Sequence, residues 1–142
     1  MTPHCPCGRT DARGRPLSLQ ACCGPWLDGA AAPDAHTLMR SRYTAYALGR
    51  RDHLQATWHP DTLPADLSLD GDTQWLGLQV RSHRETGPDE AEVHFVARWR
   101  GRGEGGGRAQ RLEERSRFVR VQGRWLYLEA LGGAPAAQKR SA

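Results

Sequence analysis

Four cysteines near the start of the chain are the residues whose types and spacing point most directly to chemistry. They form two pairs, Cys5 with Cys7 and Cys22 with Cys23, and all lie within the first 23 of 142 residues. A glycine directly follows each pair, which permits the tight turns that direct sulfurs to one centre. Zinc prefers a tetrahedron of soft ligands, so this arrangement predicts one zinc ion per chain. Four thiolates leave no position for a water, and the predicted role of the metal is therefore structural.

The sequence leaves three other interpretations of these cysteines open. They are two disulfides, a redox pair formed by Cys22 and Cys23, or four unrelated free thiols. Disulfides suit a secreted chain, and the first residues lack the apolar core of a secretion signal. His4 is an alternative zinc ligand, although its position next to Cys5 gives it poor geometry. We expect zinc and a cytoplasmic location.

A second group of polar and aromatic residues is predicted to meet at a pocket. Arg42 and Tyr46 are four residues apart and share a face of a predicted helix. Glu114 and Ser116 are two apart and share a face of a predicted strand. Two further residues, at the end of a second predicted helix, complete the set of pocket candidates, which is Arg42, Tyr46, Trp58, His59, Glu114 and Ser116.

The chemistry expected of this pocket depends on Glu114 and His59. A carboxylate placed between Leu112 and Phe118 needs a partner or a raised pKa, because burial disfavours its charge. Arg42 and His94 are the candidate partners, and the pair would be either structural or functional. His59 is either a general acid or base at the pocket mouth, or a residue that caps the last carbonyls of the helix.

Hydrophobic periodicity predicts the elements that carry these residues. The rhythm of residues 35–48 predicts a helix that begins after Asp34 and ends at Gly49. A shorter helix is expected from Asp52 to Trp58, ended by Pro60. Residues 60–73 are expected to form an excursion with at most one helical turn.

From residue 74 the period changes to two, which predicts strands over 74–81, 91–100, 110–121 and 124–130. Gln122 and Gly123 are expected to form a tight turn, and the glycine-rich segment 101–107 a hairpin loop. Helices followed by a long antiparallel sheet predict an α+β fold, with helices packed on a curved sheet around one pocket. The predicted units are a knuckle over 1–29, the main domain over 30–131 and a flexible tail over 132–142.

Charge and composition limit the kinds of partner that the chain is expected to bind. The formal net charge is +4, and nine arginines lie between residues 98 and 124 with aromatic neighbours. This combination suits phosphate contact with base stacking, or else a solvated sheet face with Glu113 and Glu129 as counter-charges. The net charge is small, so we do not expect a tight nucleic-acid site. No apolar run approaches the roughly 20 residues that a membrane-spanning helix needs.

The cysteine pairs and several other segments resemble known families. The pairs resemble the SEC-C motif, the zinc knuckle also found in the SecA translocase. The rest is similar to the bacterial YchJ family, and the similarity covers about residues 4–130. It is carried by residues 38–46 (LMRSRYTAY), 57–60 (TWHP), 75–78 (WLGL), 114–118 (ERSRF) and 123–125 (GRW).

The resemblance implies a fold and a metal but no reaction, because the family has no assigned activity. It implies a main domain similar to nuclear transport factor 2, a cone of helices on a curved sheet. One departure is the gap between the cysteine pairs, which is 14 residues here and about eight in most SEC-C motifs. The longer loop is expected to bulge outward and leave the sulfurs in place.

Three classes of function are compatible with these observations. The first is a zinc-stabilised binding or adaptor protein whose knuckle contacts another protein. The second is an enzyme or small-ligand binder that uses the pocket. The third is a nucleic-acid binder that uses the arginine-rich strands. No nucleophile triad, P-loop or dinucleotide-binding glycine pattern is present in the sequence to favour a particular reaction.

Overall fold

Short helices precede a meander of four strands in this chain. The computed structural model describes residues 3–67, 69, 73–101 and 107–133. The helices are α1 (Gly24–Leu27), α2 (Ala35–Leu48) and α3 (Arg51–Ala56). The strands are β1 (Thr73–Gly87), β2 (Glu90–Gly101), β3 (Gln110–Val121) and β4 (Arg124–Gly133), paired antiparallel in the order β1-β2-β3-β4. The predicted α+β class with a curved antiparallel sheet is confirmed.

Helix α2 is the central element, and its bounds are the predicted ones. The Asp34 side chain accepts a hydrogen bond of 2.7 Å from the backbone N–H of Thr37 and so caps the first turn. Gly49 ends the helix in the left-handed conformation, with φ of 74°. Most of the helix is buried, including polar residues such as Ser41 and Thr44, so it packs against neighbours on several sides.

Helix α3 ends earlier than predicted. It stops at Ala56, and the next residues pair with β4 in place of continuing the helix. The His59 N–H donates to the Tyr127 carbonyl, and the Tyr127 N–H donates to the Thr57 carbonyl, each at 2.8 Å. Trp58 therefore lies in a parallel bridge opposite Tyr127. The prediction that the helix reaches Trp58 is wrong, because these strand bonds compete for its last backbone groups.

Strand β1 contains an irregularity that changes which side chains face inward. Trp75 pairs with Trp99, but Gly77 pairs with Arg98, so an extra residue lies between the two pairs. This bulge leaves Leu76 exposed and places Trp75 on the same face as Leu78 and Val80. Strict alternation from residue 74 would place Leu76 on the face of Leu78, and the bulge breaks that alternation at this point.

The last hairpin follows the prediction closely up to its final residues. Gln122 and Gly123 both have positive φ, 52° and 79°, as a two-residue hairpin turn requires. Strand β4 continues to Gly133, two residues into the segment predicted as tail. The centre of the glycine-rich loop, 102–106, and the tail from residue 134 lie outside the described residues.

The knuckle and the sheet share one core. The buried cluster contains all four cysteines, the apolar face of α2 and the inner face of the sheet, including Val93 and Phe118. The knuckle is therefore packed onto the main domain through α2.

Candidate functional site

Turns on both sides of the knuckle bring its sulfurs together. The Gly8 N–H donates to the Cys5 carbonyl, and the Cys5 N–H donates to the carbonyl of Leu17. The second pair precedes α1, where the N–H groups of Cys22 and Gly24 both donate to the Leu19 carbonyl. All four cysteines are buried free thiols.

The distances between the sulfurs match those of a tetrahedral metal site. Sγ of Cys7 lies 3.6 Å from that of Cys5 and 3.5 Å from that of Cys22, and the Cys22–Cys23 distance is 4.0 Å. All four sulfurs lie within 4.8 Å of one another. Zinc–sulfur bonds of about 2.3 Å in a tetrahedron separate the sulfurs by about 3.8 Å. The residues present can therefore bind one metal ion of zinc size.

Without a cation, the four thiols cannot all ionise. Contacts with Cys23 and Cys7 lower the pKa of Cys5, whereas contacts with Cys5 and Cys7 raise the pKa of Cys23. Burial, followed by the charge of Cys7, raises the pKa of Cys22 to about 12. A metal that binds here therefore has to displace protons from the cluster.

Helix α2 supplies the groups that surround the cluster. The Thr44 hydroxyl donates to Sγ of Cys23 at 3.3 Å, and Nη1 of Arg40 donates to the Cys7 carbonyl at 3.0 Å. Such bonds orient ligands and moderate the negative charge on them. His4, the alternative ligand, is exposed and does not belong to the group of candidate metal ligands.

The long gap between the cysteine pairs is an exposed excursion. Residues 10–16 are exposed, and the Asp11 carboxylate accepts hydrogen bonds from the N–H groups of Arg13 and Arg15. Thr10 and Pro16 form an isolated bridge at its base. The turn closes on itself, so its length does not change the positions of the sulfurs.

A cavity of about 180 Å³ lies between α2, the 58–64 segment and the sheet. Its walls are mainly aromatic and aliphatic. Five of the six predicted pocket residues line it: Arg42, Tyr46, Trp58, Glu114 and Ser116. The other lining residues are Met39, Tyr43, Pro64, Trp75, Phe95, Ala97, Leu112 and Tyr127.

Arg42 is a buried cation at the wall of this cavity. Its side chain is held by Nη1, which donates to the Leu54 carbonyl at 3.0 Å and to the Thr57 hydroxyl at 2.8 Å. The guanidinium carbon lies 4.9 Å from the ring centre of Trp58 and 4.8 Å from that of Tyr127. Burial lowers the pKa of Arg42, and Tyr46, Tyr127 and Glu114 offset this in part, Tyr46 also through a hydrogen bond.

Glu114 does not form the predicted ion pair. Its Oε2 accepts a hydrogen bond of 2.5 Å from the Ser116 hydroxyl, and no described arginine or histidine lies within 4.0 Å of its carboxylate. Arg42 acts on it only at longer range, and His94 pairs with Glu113 at 2.6 Å. The expectation of Arg42 or His94 as a direct partner is wrong, because Arg42 is bonded to Leu54, Thr57 and Tyr46, and His94 is bonded to Glu113. Burial raises the pKa of Glu114, and Ser116 and Arg42 offset this in part.

His59 is the pocket candidate that does not line the cavity. Its backbone is tied to β4, and its ring Nδ1 accepts a hydrogen bond of 3.0 Å from the Asp61 N–H. Both expectations for its side chain, pocket base and helix cap, are therefore corrected.

Sequence reasoning missed Trp75 and Tyr127 as cavity residues. Trp75 faces inward only because of the β1 bulge, for which Gly77 is a weak signal. Tyr127 lies opposite Phe118, and Trp125 lies opposite Arg120 with no register shift between the two pairs, so both rings share a face of β4.

The arginine-rich strands carry many ion pairs with acidic neighbours. Arg117 contacts Glu90 at 2.6 Å and Glu129 at 3.2 Å, and Arg120 contacts Asp89 at 2.9 Å. Arg111 and Arg115 also have carboxylates within 4.0 Å. These pairs neutralise much of the positive charge on this part of the surface.

No helix among the described residues is both long and apolar enough to cross a membrane.

Comparison with known proteins places the chain in a family. Residues 34–130 match the model of the YchJ middle NTF2-like domain. A UPF0225 protein of Polaromonas naphthalenivorans is 54% identical over 136 residues, which is 91% of this chain and 97% of that protein. One from Xanthomonas oryzae is 55% identical over 128 residues, 89% of this chain and 92% of that protein.

Solved structures agree with this assignment. A SEC-C motif containing protein from Rhodopseudomonas palustris is 33% identical with a TM-score of 0.72, and the match covers 90% of this chain and 97% of that one. Another from Psychrobacter arcticus is 29% identical with a TM-score of 0.71, over 89% and 80% of the two chains. The chain therefore belongs to the YchJ family of NTF2-like proteins, whose relatives carry the name UPF0225.

Proposed function

We propose that this protein is a zinc-stabilised binding protein that takes a small molecule into the cavity of its NTF2-like domain. The observation that carries the proposal is the cavity itself, where polar groups converge within aromatic walls. Binding sites for small molecules combine mostly apolar walls with a few placed polar groups.

Zinc is the metal that the cysteine cluster fits best. The four thiols have the separation of a tetrahedral site, and the structural relatives carry a SEC-C motif. Cys5, Cys7, Cys22 and Cys23 would hold the ion, which supplies a cross-link between the two halves of the knuckle. Since four sulfurs complete its coordination, the zinc takes no part in chemistry on a substrate. Cysteines that hold zinc must stay reduced, which favours a reducing compartment such as the cytoplasm.

A filled cavity provides the direct test of ligand binding. Ala97 is 1% exposed and lines the cavity, so Ala97→Leu should occupy space without adding a polar group. Ala12→Leu, in the exposed 10–16 turn, is the matched control. Ligand-observed NMR with a library of one-ring fragments should find binders of the parent and the control that Ala97→Leu no longer binds. A library in which no compound distinguishes the parent from Ala97→Leu would refute the proposal.

A second candidate is an enzyme that transfers a proton in the same cavity. Glu114 favours it, since a buried carboxyl with a raised pKa is suited to acid–base work. This function requires that the protein convert a bound molecule, and that Glu114→Gln abolish the conversion while the molecule still binds.

Contacts with other macromolecules are proposed to be secondary. The sulfur side of the knuckle packs on α2, so a protein partner would have to use its exposed parts, among them the 10–16 turn. Ion pairing of the arginines argues against a tight nucleic-acid site.

A further inference from the structure

Glu114 is a buried carboxyl group that uses only one of its two oxygens within the described part of the chain. The residue is 7% exposed and lines the cavity. Its Oε2 accepts the hydrogen bond from Ser116, and no described residue donates to its Oε1. Among the described residues, Oε1 is also not one of the fully enclosed polar atoms that lack a partner. A water-sized molecule in the cavity can therefore reach this oxygen.

The walls of the cavity carry one cation and one acidic group that are not paired with each other. Arg42 is bonded to Leu54, Thr57 and Tyr46. Its charge acts on Glu114 only from beyond ion-pair distance. An anionic ligand at Oε1 would be repelled by an ionised Glu114, and a cationic ligand would be repelled by Arg42. A neutral ligand avoids both repulsions.

A hydroxyl is the neutral group that suits Glu114 in either protonation state. Burial raises the pKa of this carboxyl, whereas Ser116 and Arg42 act in the opposite direction. A hydroxyl can donate to the carboxylate or accept from the carboxylic acid. Its bond to Oε1 therefore does not depend on the balance between these effects.

The size and the walls of the cavity limit the ligand to one planar ring with a short substituent. A cavity of roughly 150 Å³ in another protein holds benzene, and this one measures about 180 Å³. Its aromatic lining consists of Tyr43, Tyr46, Trp58, Trp75, Phe95 and Tyr127. Planar rings pack well against such side chains. Phe95 pairs with Glu114 across β2 and β3, so a ring packed against Phe95 lies beside the carboxyl group.

We propose that the cavity binds a monocyclic phenol, whose hydroxyl bonds to Oε1 of Glu114 and whose ring packs against Phe95. This inference rests on the proposed function and names the class of ligand. Phenol is the smallest probe of that class, and fluorobenzene is a ring of similar size that cannot donate a hydrogen bond.

Ligand-observed NMR titration of the full chain with the two probes tests this bond. Glu114→Met keeps the length of the side chain and removes the acceptor. The ratio of the dissociation constants of phenol and fluorobenzene should shift about tenfold against phenol, as expected for loss of a hydrogen bond to a buried acidic group. Use of the ratio cancels the difference in hydration between the two probes.

A neighbouring glutamate on the same strand provides the matched control. Glu113 is half-exposed on the other face of β3 and pairs with His94. Glu113→Met should keep the ratio of the parent. Both variants also carry Ser116→Ala, so that a serine hydroxyl without its acceptor cannot bond the ligand in place of Glu114.

The orientation of the bound ring provides a second measurement, which needs no variant and so holds even where Glu114→Met fails to fold. Isotope-edited NOEs between phenol and the parent protein should place the ortho protons of the ring, and not the para proton, next to the side chain of Glu114. This orientation follows from a hydroxyl that is bonded to Oε1.

The outcomes separate this inference from the function on which it rests. A ratio that Glu114→Met leaves unchanged, or a para proton next to Glu114, overturns the phenol assignment and leaves ligand binding intact. Tighter binding of benzoate than of phenol overturns the choice of a neutral ligand. If neither phenol nor fluorobenzene binds, this inference is wrong, and the fragment library with Ala97→Leu then decides the proposed function.

Discussion

His53 should make the folded state sensitive to mild acid. The residue is 6% exposed, and its Nε2 lies 2.8 Å from the Ser41 hydroxyl. That hydroxyl donates its single proton to the Leu38 carbonyl at 2.8 Å, so the imidazole must donate from Nε2. Burial is the main reason that the pKa of His53 is lowered to about 4. The charges of Arg42 and Arg50 also lower it, and they outweigh the opposing effect of Asp52.

The size of the effect follows from the two pKa values. An unfolded chain takes up a proton at His53 near pH 6.5, whereas the folded chain does so only near pH 4. The folded state is therefore stabilised above pH 6.5 and loses that stability as the pH falls to about 4. The full loss is about 3 kcal/mol, of which about 1.4 kcal/mol is lost between pH 8 and pH 5.5.

Urea unfolding of the parent and of His53→Gln at several pH values measures the contribution of His53 to the free energy of unfolding. The glutamine amide can donate to Ser41 but does not titrate, so the difference in free energy of unfolding isolates the imidazole. The parent should lose about 1.4 kcal/mol more than the variant between pH 8 and pH 5.5. Gln55→His, which places an imidazole on the exposed side of α3, is the control and should follow the parent.

Parallel stability profiles of the parent and His53→Gln would refute the reasoning. Such a result would mean that the folded protein accommodates a charged imidazole, in which Nε2 still donates to Ser41 and the added proton is on Nδ1.

Three further outcomes are expected. Elemental analysis should find about one zinc per chain, and Cys22→Ser should lose most of it; a metal-free knuckle that keeps its protection from proteolysis would contradict this. Glu114→Gln should raise the free energy of unfolding by on the order of 1 kcal/mol at pH 8. Since the pKa of Glu114 is raised, its ionisation destabilises the fold as the pH rises above its unfolded value, and the gain should vanish in acid; a gain that is independent of pH would refute this explanation. Mobility shifts with single-stranded RNA at physiological salt should show no submicromolar complex, and a tight complex with a steep salt dependence would overturn this expectation.

Local signals in the sequence were sufficient where one residue decides the backbone. Asp34 and Gly49 set the bounds of α2, and the Gln122–Gly123 pair set the β3–β4 turn, because caps and tight turns depend on side chains close in sequence. The cysteine pairs also sufficed, since four sulfurs at one centre need little beyond two short turns.

Long-range competition decided the features that the sequence did not reveal. Helix α3 ends at Ala56 because Thr57 and His59 find backbone partners on β4, about 70 residues away along the chain. The β1 bulge places Trp75 in the cavity through its pairing with β2, which alternation within one strand cannot indicate. The expectation that Arg42 and Glu114 line the same cavity was correct. The expected contact between them was wrong, since each side chain bonds a nearer partner.

Helix α2 joins the two candidate sites, and this explains its unusual number of buried polar side chains. Arg40 and Thr44 contact the cysteine knuckle, Ser41 contacts His53 of α3, and Arg42 lies at the cavity. Each buried polar group costs free energy unless it is bonded, so each contact fixes the helix against one neighbour. The cysteine cluster thereby helps to set the position from which Arg42 and Tyr46 enter the cavity. A helix held on three sides suits a preorganised pocket better than a surface that must adapt to a partner.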